Sequence, residues 1–185
     1  HLSTRRQRQM CIRDRYRILC IKSIYPLNAE NPIQETSIMN GKLEPTNSPY
    51  AMAKLTAIEI GNALSIQYGH KIINLMPTNL YGPNDNFHPT NSHVIPGLIS
   101  KFHNGKINKQ DSVKIWGDGS PLREFLYVDD LSSAISFIIE NDINNSLMNV
   151  GSSEEVSILG LAEMIKDVVG FEGIIAFDKT KPCLL

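Results

Sequence analysis

Cysteine and long apolar runs are what this sequence has least of. Its 185 residues include three cysteines, Cys11, Cys20 and Cys183, and no two of them have CxxC spacing. This excludes a disulfide framework and a cysteine zinc site, and we predict no metal. No stretch approaches the roughly 18 consecutive apolar residues of a membrane span, and the N-terminus has no apolar signal region. We therefore expect a globular protein of a reducing compartment, the cytoplasm, with no membrane partner.

Acidic residues are nearly absent from the first 17 positions, which carry six arginines and one aspartate. The apolar residues of this segment follow neither a period of 2 nor a period of 3.6, so they predict no core element. A basic arm that binds nucleic acid would interleave aromatic residues, and a transit peptide would have an amphipathic face. We interpret residues 1–17 as an artefactual or disordered basic segment and expect no nucleic-acid partner.

From Ile18 onwards, the apolar pattern predicts strands that alternate with helices. Short apolar runs bounded by turn residues predict strands at residues 17–25, 70–76, 113–116, 147–150 and 173–177. Apolar residues with a period of 3.6 predict helices after Ser48, over residues 96–104, after Asp129 or Asp130, and after Ser157. This alternation predicts a parallel α/β sheet.

The helix after Ser48 has recognisable ends. Ser48 suits an N-cap, Pro49 suits the first helical position, and Gly69 suits the left-handed residue that follows a helix. The apolar residues between these ends predict the buried face, and they are Ala51, Leu55, Ile58, Ala63 and Leu64. The last helix has the same kind of ends, with Ser157 as N-cap and Gly170 after its last turn.

Tyr50 and Lys54 form a YxxxK pair at the start of this helix. Residues four apart lie on the same helix face, so the ammonium can act on the phenol. A cation beside a tyrosine stabilises the phenolate and makes the phenol a better proton donor near neutral pH. The spacing alone leaves two interpretations of Tyr50 and Lys54 open, a solvated surface pair and a catalytic pair.

Longer motifs around the pair resemble the extended short-chain dehydrogenase/reductases, and within them most closely the GDP-L-fucose synthase branch. The resemblance covers residues 24–182 and rests on SIYP, SPYAMAKL, PTNLYGPNDNFHPTNSHVIP, WGDGSPLREFLYVDDL and MNVGSS. It implies the C-terminal part of a Rossmann-type NAD(P)-binding fold with part of a small substrate-binding domain. Residues 18–80 would form the partial Rossmann domain, and residues 81–185 would mix substrate-binding segments with returning Rossmann elements.

The resemblance also implies an activity and its partners. A branch member epimerises a GDP-4-keto-6-deoxymannose at C3 and C5 and reduces it at C4 with NADPH, which becomes NADP. The substrate would be a GDP-sugar, and the intact protein would be a homodimer.

The resemblance assigns roles to individual residues. Tyr50 would protonate the C4 oxygen, Lys54 would hold the nicotinamide ribose, and His93 would be the acid/base of epimerisation. Five residues would contact the cofactor besides Lys54, and they are Pro77, Thr78, Asn79, Leu80 and His93. Three residues would contact the substrate, and they are Lys101, Trp116 and Arg123.

Three departures limit this transfer. Ile21 stands where the family has the triad serine, and an isoleucine cannot donate a hydrogen bond to the substrate. Ser23 stands where the family has the active-site cysteine of epimerisation, and a serine hydroxyl is a much weaker acid than a thiol. Positions 21 and 23 share a strand face, so Ser23 could partly replace the missing triad serine. No GxGxxG or GxxGxxG turn for a dinucleotide pyrophosphate occurs in the sequence. The first half of the Rossmann sheet is therefore expected to be absent, and the chain to be an internal fragment.

Two alternatives remain open at this point. One is a nucleotide-sugar 4-epimerase or 4,6-dehydratase that uses NAD, because these enzymes share YxxxK. The other is a non-catalytic fragment without a cofactor site.

Overall fold

The computed structural model describes residues 15–19, 24–88, 91–143 and 145–180, with the backbone alone for residues 15–19. Four helices and eight strands follow one another within these ranges, namely β1 (Arg15–Leu19), α1 (Ser48–Tyr68), β2 (Lys71–Pro77), β3 (Asn79–Tyr81), α2 (Val94–Ile107), β4 (Ser112–Trp116), β5 (Leu122–Tyr127), α3 (Val128–Glu140), β6 (Leu147–Val150), β7 (Glu155–Ser157), α4 (Ile158–Val169) and β8 (Ile174–Asp178). The chain divides into two compact units. The first holds the described residues up to Asn79 with Asp129–Gly151, and the second holds Leu80–Val128 with the described residues from Ser152.

The first unit is built on a parallel sheet in the order β1-β2-β6. All residues of β2 except Lys71 are buried, as expected of a central parallel strand. A core cluster joins α1 to the region after β1, and it contains Ile24, Tyr25, Ala51, Leu55, Ile58 and Met76. A smaller cluster of Ile73, Leu75 and Ile138 lies between β2 and α3.

The second unit contains two small sheets. Strands β4 and β8 pair in parallel, and strands β3, β5 and β7 form the other sheet, in which β5 and β7 run antiparallel. Helices α2 and α4 pack together over β4, and Phe102, Val113, Ile115 and Phe171 are among the buried residues of this core. The ring centroids of Phe102 and Phe171 are 5.7 Å apart.

The predicted elements are confirmed in type, with shifted ends. Strand β1 occupies Arg15–Leu19 instead of residues 17–25, so it begins inside the segment that the sequence analysis set aside. Helix α2 extends beyond the predicted residues 96–104 on both sides. Gly69 and Gly170 both adopt the left-handed conformation after a helix, as predicted, with φ of 69° and 70°.

Three local predictions are wrong. Asn47, not Ser48, occupies the N-cap position of α1, because a turn held by Glu44 ends there. Asp129 and Asp130 lie within the first turn of α3 and do not precede it. Ala63 is exposed, and Gly61 takes its place on the buried face of α1.

Strands β3, β5 and β7 were not predicted. The sequence of β5, LREFLY, carries Arg123 and Glu124 at its centre and therefore lacks the apolar run of a buried strand. Its partner β7 has three residues, with Arg123 opposite Val156. The parallel sheet predicted for the whole chain is consequently confirmed for two sheets and wrong for β5–β7.

Candidate active site

Tyr50 and Lys54 lie together on the first turns of α1. The Lys54 Nζ lies over the Tyr50 ring, 5.5 Å from its centroid. The Tyr50 side chain is 39% exposed, whereas its neighbour Ala51 is fully buried. The helix thus anchors one face in the core and leaves the phenol, with a cation beside it, partly exposed at the surface. This arrangement can deliver a proton.

The segment before α1 fixes where the helix begins. The Glu44 carboxylate accepts hydrogen bonds from the Thr46 hydroxyl (2.6 Å), the Thr46 N–H (3.0 Å) and the Asn47 N–H (2.7 Å). These bonds favour the charged form, the Thr46 hydroxyl most, and lower the pKa of Glu44. The Asn47 carbonyl then accepts the Ala51 N–H at 2.9 Å. Tyr50 therefore follows an ordered turn.

The proposed cofactor residues begin at the carboxyl end of β2. Pro77 is fully buried and pairs with Val150, and the Thr78 N–H donates to the Val150 carbonyl at 3.0 Å. The Thr78 hydroxyl oxygen is buried and has no hydrogen-bond partner among the described residues. A buried hydroxyl without a partner is costly, so a polar ligand would fit here. Asn79 and Leu80 continue into β3.

Lys101 and Trp116 meet in the second unit. The Lys101 Nζ lies 5.0 Å from the centroid of the Trp116 ring and donates to the Lys114 carbonyl at 3.4 Å. Burial lowers the pKa of Lys101, and the carboxylate of Asp178, which pairs with Trp116 across β4 and β8, acts in the opposite direction. Two predicted substrate residues are thereby in contact.

His93 and Arg123 also belong to the second unit. His93 occupies the N-cap position of α2, where its exposed side chain makes no capping bond and its carbonyl accepts the Gly97 N–H at 2.9 Å. Arg123 is half-buried on β5, and its Nη1 donates to the Leu122 carbonyl at 2.7 Å. Ile21 and Ser23, which stand at the positions of the family's triad serine and active-site cysteine, lie outside the described residues.

A polar network that the sequence analysis did not predict surrounds Tyr25. The buried Tyr25 hydroxyl donates to Asn149 Oδ1, and the Asn149 N–H donates to Glu35 Oε1 at 2.7 Å. Burial, and next the Glu35 charge, raise the pKa of Tyr25 to about 12. The available signal was the pair of motifs SIYP and MNVGSS, because a tyrosine in an apolar context needs a partner for its hydroxyl.

A polar cavity of about 370 Å³ lies in the loop between Tyr25 and α1. It is lined by Glu30, Asn31, Pro32, Gln34 and Ser37. Within the described part of the chain, none of the predicted site residues lines it. Across the described ranges, no three His, Cys, Asp or Glu side chains group as a metal would require. The helices of the described chain include none with the length and apolar character to cross a bilayer.

The chain is similar to known proteins in family, sequence and structure. Residues 8–151 match the model of the NAD dependent epimerase/dehydratase family. Over 159 residues the chain is 52% identical to GDP-L-fucose synthase 1 of Arabidopsis thaliana, covering 86% of this chain and 49% of that protein. Over 168 residues it is 44% identical to GDP-L-fucose synthase of Escherichia coli strain K12, covering 86% and 52%.

Solved structures give the same result. A GDP-L-fucose synthetase from Naegleria fowleri bound to NADP superimposes with a TM-score of 0.83 at 28% identity, covering 92% of this chain and 55% of that one. The GDP-mannoheptose C4 reductase MlghC from Campylobacter jejuni, with NADP bound, gives 0.80 at 30% identity, covering 89% and 60%. The chain spans about half the length of the curated relatives it matches. The family match takes in most of the chain, including β1, α1 and the Tyr50–Lys54 pair, and the chain therefore belongs to the NAD dependent epimerase/dehydratase family.

Proposed function

We propose that this chain is part of a GDP-L-fucose synthase, which uses NADPH to convert GDP-4-dehydro-6-deoxy-D-mannose to GDP-L-fucose. The observation that carries the proposal is the Lys54 ammonium over the Tyr50 ring at the start of α1. The names of the relatives at 52% and 44% identity support this substrate over other nucleotide sugars. The reaction comprises epimerisation at C3 and C5 and reduction at C4.

In the reduction, Tyr50 gives its hydroxyl proton to the C4 oxygen as that carbon is reduced. Bound NADPH supplies the hydride. Lys54 holds the nicotinamide ribose and stabilises the phenolate that Tyr50 leaves behind. Pro77, Thr78, Asn79 and Leu80 would lie along the cofactor, and the Thr78 hydroxyl, which has no hydrogen-bond partner among the described residues, could bond to it.

In the epimerisation, each carbon beside the C4 ketone loses a proton from one face and gains a proton on the opposite face, and His93 is the acid/base of one of these two transfers. An imidazole suits this role because its ordinary pKa is close to neutral pH. The exposed side chain of His93 at the N-cap position of α2 leaves it accessible. His93 also contacts the cofactor in this proposal. Ser23 supplies a weaker acid where relatives use a cysteine, so its part in proton exchange is small.

The GDP moiety is held by residues of the second unit. Lys101 and Arg123 provide positive charge for the diphosphate, and the guanidinium of Arg123 can engage it through two donors. Trp116 offers a flat apolar surface for the sugar or base. The contact of Lys101 with the Trp116 ring supports a common role for the two side chains.

The intact enzyme is proposed to be a cytoplasmic homodimer. Met52, Ile60 and Ile66 on α1 are 52%, 55% and 88% exposed, and a second copy of the chain would remove this apolar surface from water. The scarcity of cysteine and the lack of CxxC spacing support the cytoplasm.

The proposal is tested by Tyr50→Phe in the enzyme that contains this chain. Because the proton donor is lost while the ring remains, NADPH oxidation with the keto sugar should fall at least about a hundredfold, and binding of the GDP-sugar should persist. Tyr68→Phe at the other end of the same helix is the matched control and should retain the wild-type rate. A wild-type rate in Tyr50→Phe would contradict the assignment.

A 4-epimerase or 4,6-dehydratase that uses NAD would employ the same Tyr50–Lys54 pair. Such enzymes regenerate their cofactor within each turnover, so they consume none. Stoichiometric oxidation of NADPH with formation of GDP-L-fucose therefore separates the two functions. Activity without net oxidation of the cofactor would favour the alternative.

A further inference from the structure

Asn149, at the carboxyl end of β6, joins three parts of the first unit. Its Oδ1 accepts the hydrogen bond from the Tyr25 hydroxyl, and its Nδ2 donates to the Ile33 carbonyl at 2.9 Å. Its backbone N–H donates to Glu35 Oε1 at 2.7 Å. The partners are 114 to 124 positions away in the sequence. One side chain and its own backbone therefore tie β6 to the segment that precedes α1.

That segment, residues 26–47, is long for a loop inside a compact unit. Its regular structure is a single short 3-10 helix, Glu35–Ser37. Loops of this length are ordered only when other elements hold them. Here Ala29, Ile33, Ile38 and Leu43 pack against the core cluster to which Ala51 and Leu55 of α1 belong. The loop and the helix that carries Tyr50 and Lys54 thus share one core.

The position of Asn149 in the sheet links this loop to the proposed cofactor residues. Asn149 pairs with Met76 in the register of β2 and β6, and the next pair is Pro77 with Val150. Met76 is a buried member of the same core cluster. The Thr78 N–H bonds to the Val150 carbonyl one residue further. Asn149 consequently lies where the end of β2, the loop and Tyr25 converge.

We propose that Asn149 is a positioning residue of the active site, which clamps loop 26–47 to the end of β6 and so holds Tyr50 and Lys54 in place. The inference rests on the proposed function. Asn149 acts through the loop and α1 and need not touch the substrate. The buried hydrogen bond from Tyr25 fixes one end of the loop, and the bond to Ile33 fixes its middle.

The test compares Asn149→Ala with Asn40→Ala in the enzyme that contains this chain. The Asn40 side chain donates to the Thr36 carbonyl at 2.7 Å in the same loop and is exposed, so its loss removes only a local bond. For Asn149→Ala, kcat for reduction should fall by about tenfold to a hundredfold, with KM values within about twofold, because misplacement affects the reacting geometry. Asn40→Ala should keep the wild-type values. A folded Asn149→Ala enzyme with wild-type kcat would overturn the proposal.

Tyr25→Phe provides the second arm, because it keeps the buried ring and removes one bond of the clamp. It should lower kcat in the same direction as Asn149→Ala but less, and the double variant should be no worse than Asn149→Ala alone. If the fold-losses in kcat of the two single variants multiplied in the double variant, the two residues would act independently, and the clamp would be overturned. Tyr25→Phe also serves if Asn149→Ala does not fold.

Hydrogen exchange gives a readout that does not depend on activity. In Asn149→Ala, and in Tyr25→Phe if the former does not fold, amides of residues 33–47 should exchange at least about tenfold faster, with α4 of the second unit unchanged. Unchanged exchange in residues 33–47 would overturn the clamp. A wild-type enzyme that does not reduce the keto sugar would reject the proposed function alone, and hydrogen exchange would still decide whether Asn149 holds the loop.

Discussion

Tyr25 is a residue whose chemistry is set by its surroundings. Its side chain is 6% exposed, and its hydroxyl bonds to Asn149 beside the Glu35 carboxylate. Burial and the nearby negative charge both disfavour the phenolate. Tyr50, by contrast, is 39% exposed and has a cation over its ring. Tyr25 and Tyr50 thus have opposite surroundings, since one is buried beside a carboxylate and the other is exposed beside an ammonium group.

The raised pKa of Tyr25 predicts that the stability of the folded chain depends on pH. The pKa of Tyr25, raised to about 12 in the folded chain, lies above the value of about 10 for an exposed tyrosine. The stabilisation of the folded state by neutral Tyr25 is therefore complete below pH 10. The free energy of unfolding then falls as the pH rises towards 12, by up to about 1.4 kcal/mol per pH unit. Urea unfolding of wild type and Tyr25→Phe between pH 9 and 11.5 measures this. Parallel pH profiles of the two proteins would contradict it.

His93 is predicted to serve epimerisation and not reduction. In the enzyme that contains this chain, His93→Asn should slow incorporation of solvent deuterium at C3 and C5 at least about tenfold more than hydride transfer to an already epimerised ketone. NMR and single-turnover NADPH oxidation measure the two steps. His88→Asn is the control, because the His88 side chain is exposed as well. Equal losses in both steps would mean that His93 only shapes the loop.

At the scale of elements, α2 shows how a helix is fitted to its neighbours. Gly105 is buried on this helix, and a Cβ added there would lie 2.7 Å from Val113 Cγ2 and 3.1 Å from Phe171 Cε2. Val113 and Phe171 are themselves buried in the core of the second unit. The helix therefore approaches β4 closely because position 105 has no side chain.

Gly105→Ala should consequently destabilise the protein. Alanine favours a helix over glycine by about 1 kcal/mol, but overpacking a core costs about 1 to 3 kcal/mol, so the net loss should be about 1 kcal/mol. Gly97→Ala on the same helix is the matched control, because its Cβ would meet only the Ser92 hydroxyl, which can rotate away. Chemical unfolding measures both variants. If Gly105→Ala were more stable than the wild type, the neighbouring core side chains would have to rearrange to accept the added methyl group.

At the scale of the whole molecule, the predicted binding residues are divided between two compact units. Tyr50, Lys54 and Pro77 to Asn79 belong to the first unit, and Leu80, His93 and the substrate residues belong to the second. The chain crosses between the units three times, near positions 79, 128 and 151. The sequence returns to the first unit through α3 and β6, and this return brings Asn149 to the loop that precedes α1.

Cofactor binding by the 185-residue chain tests whether its predicted cofactor residues are enough to hold NADPH. The chain contains Lys54 and the four residues from Pro77 to Leu80, but no glycine-rich turn of the kind that binds a dinucleotide pyrophosphate. We expect NADPH to bind this chain with a Kd above about 1 μM. The reason is that the chain holds proposed contacts for the nicotinamide half of the cofactor but no turn for its pyrophosphate. Calorimetry measures the affinity. Submicromolar binding would show that the phosphates are held by other residues.

The sequence by itself determined the features that depend on near neighbours. The four-residue spacing of Tyr50 and Lys54 on one helix face, the buried strand β2, the Ser157 cap and the left-handed glycines all follow from local periods and conformational preferences. These features are set within one or two turns of chain, so the printed residues contain all the information they need. They also led to the family through motifs that lie along such elements.

Only the tertiary structure decided the contacts between distant segments. The bond from Tyr25 to Asn149, the meeting of Lys101 with Trp116 and the antiparallel pairing of β5 with β7 join residues from different elements. Such contacts depend on strand register and on which helix face packs inward. A local pattern does not fix these, because a shift of one residue in register would move every side chain to the other face. The polar network around Asn149 is for that reason a property of the fold and not of any motif.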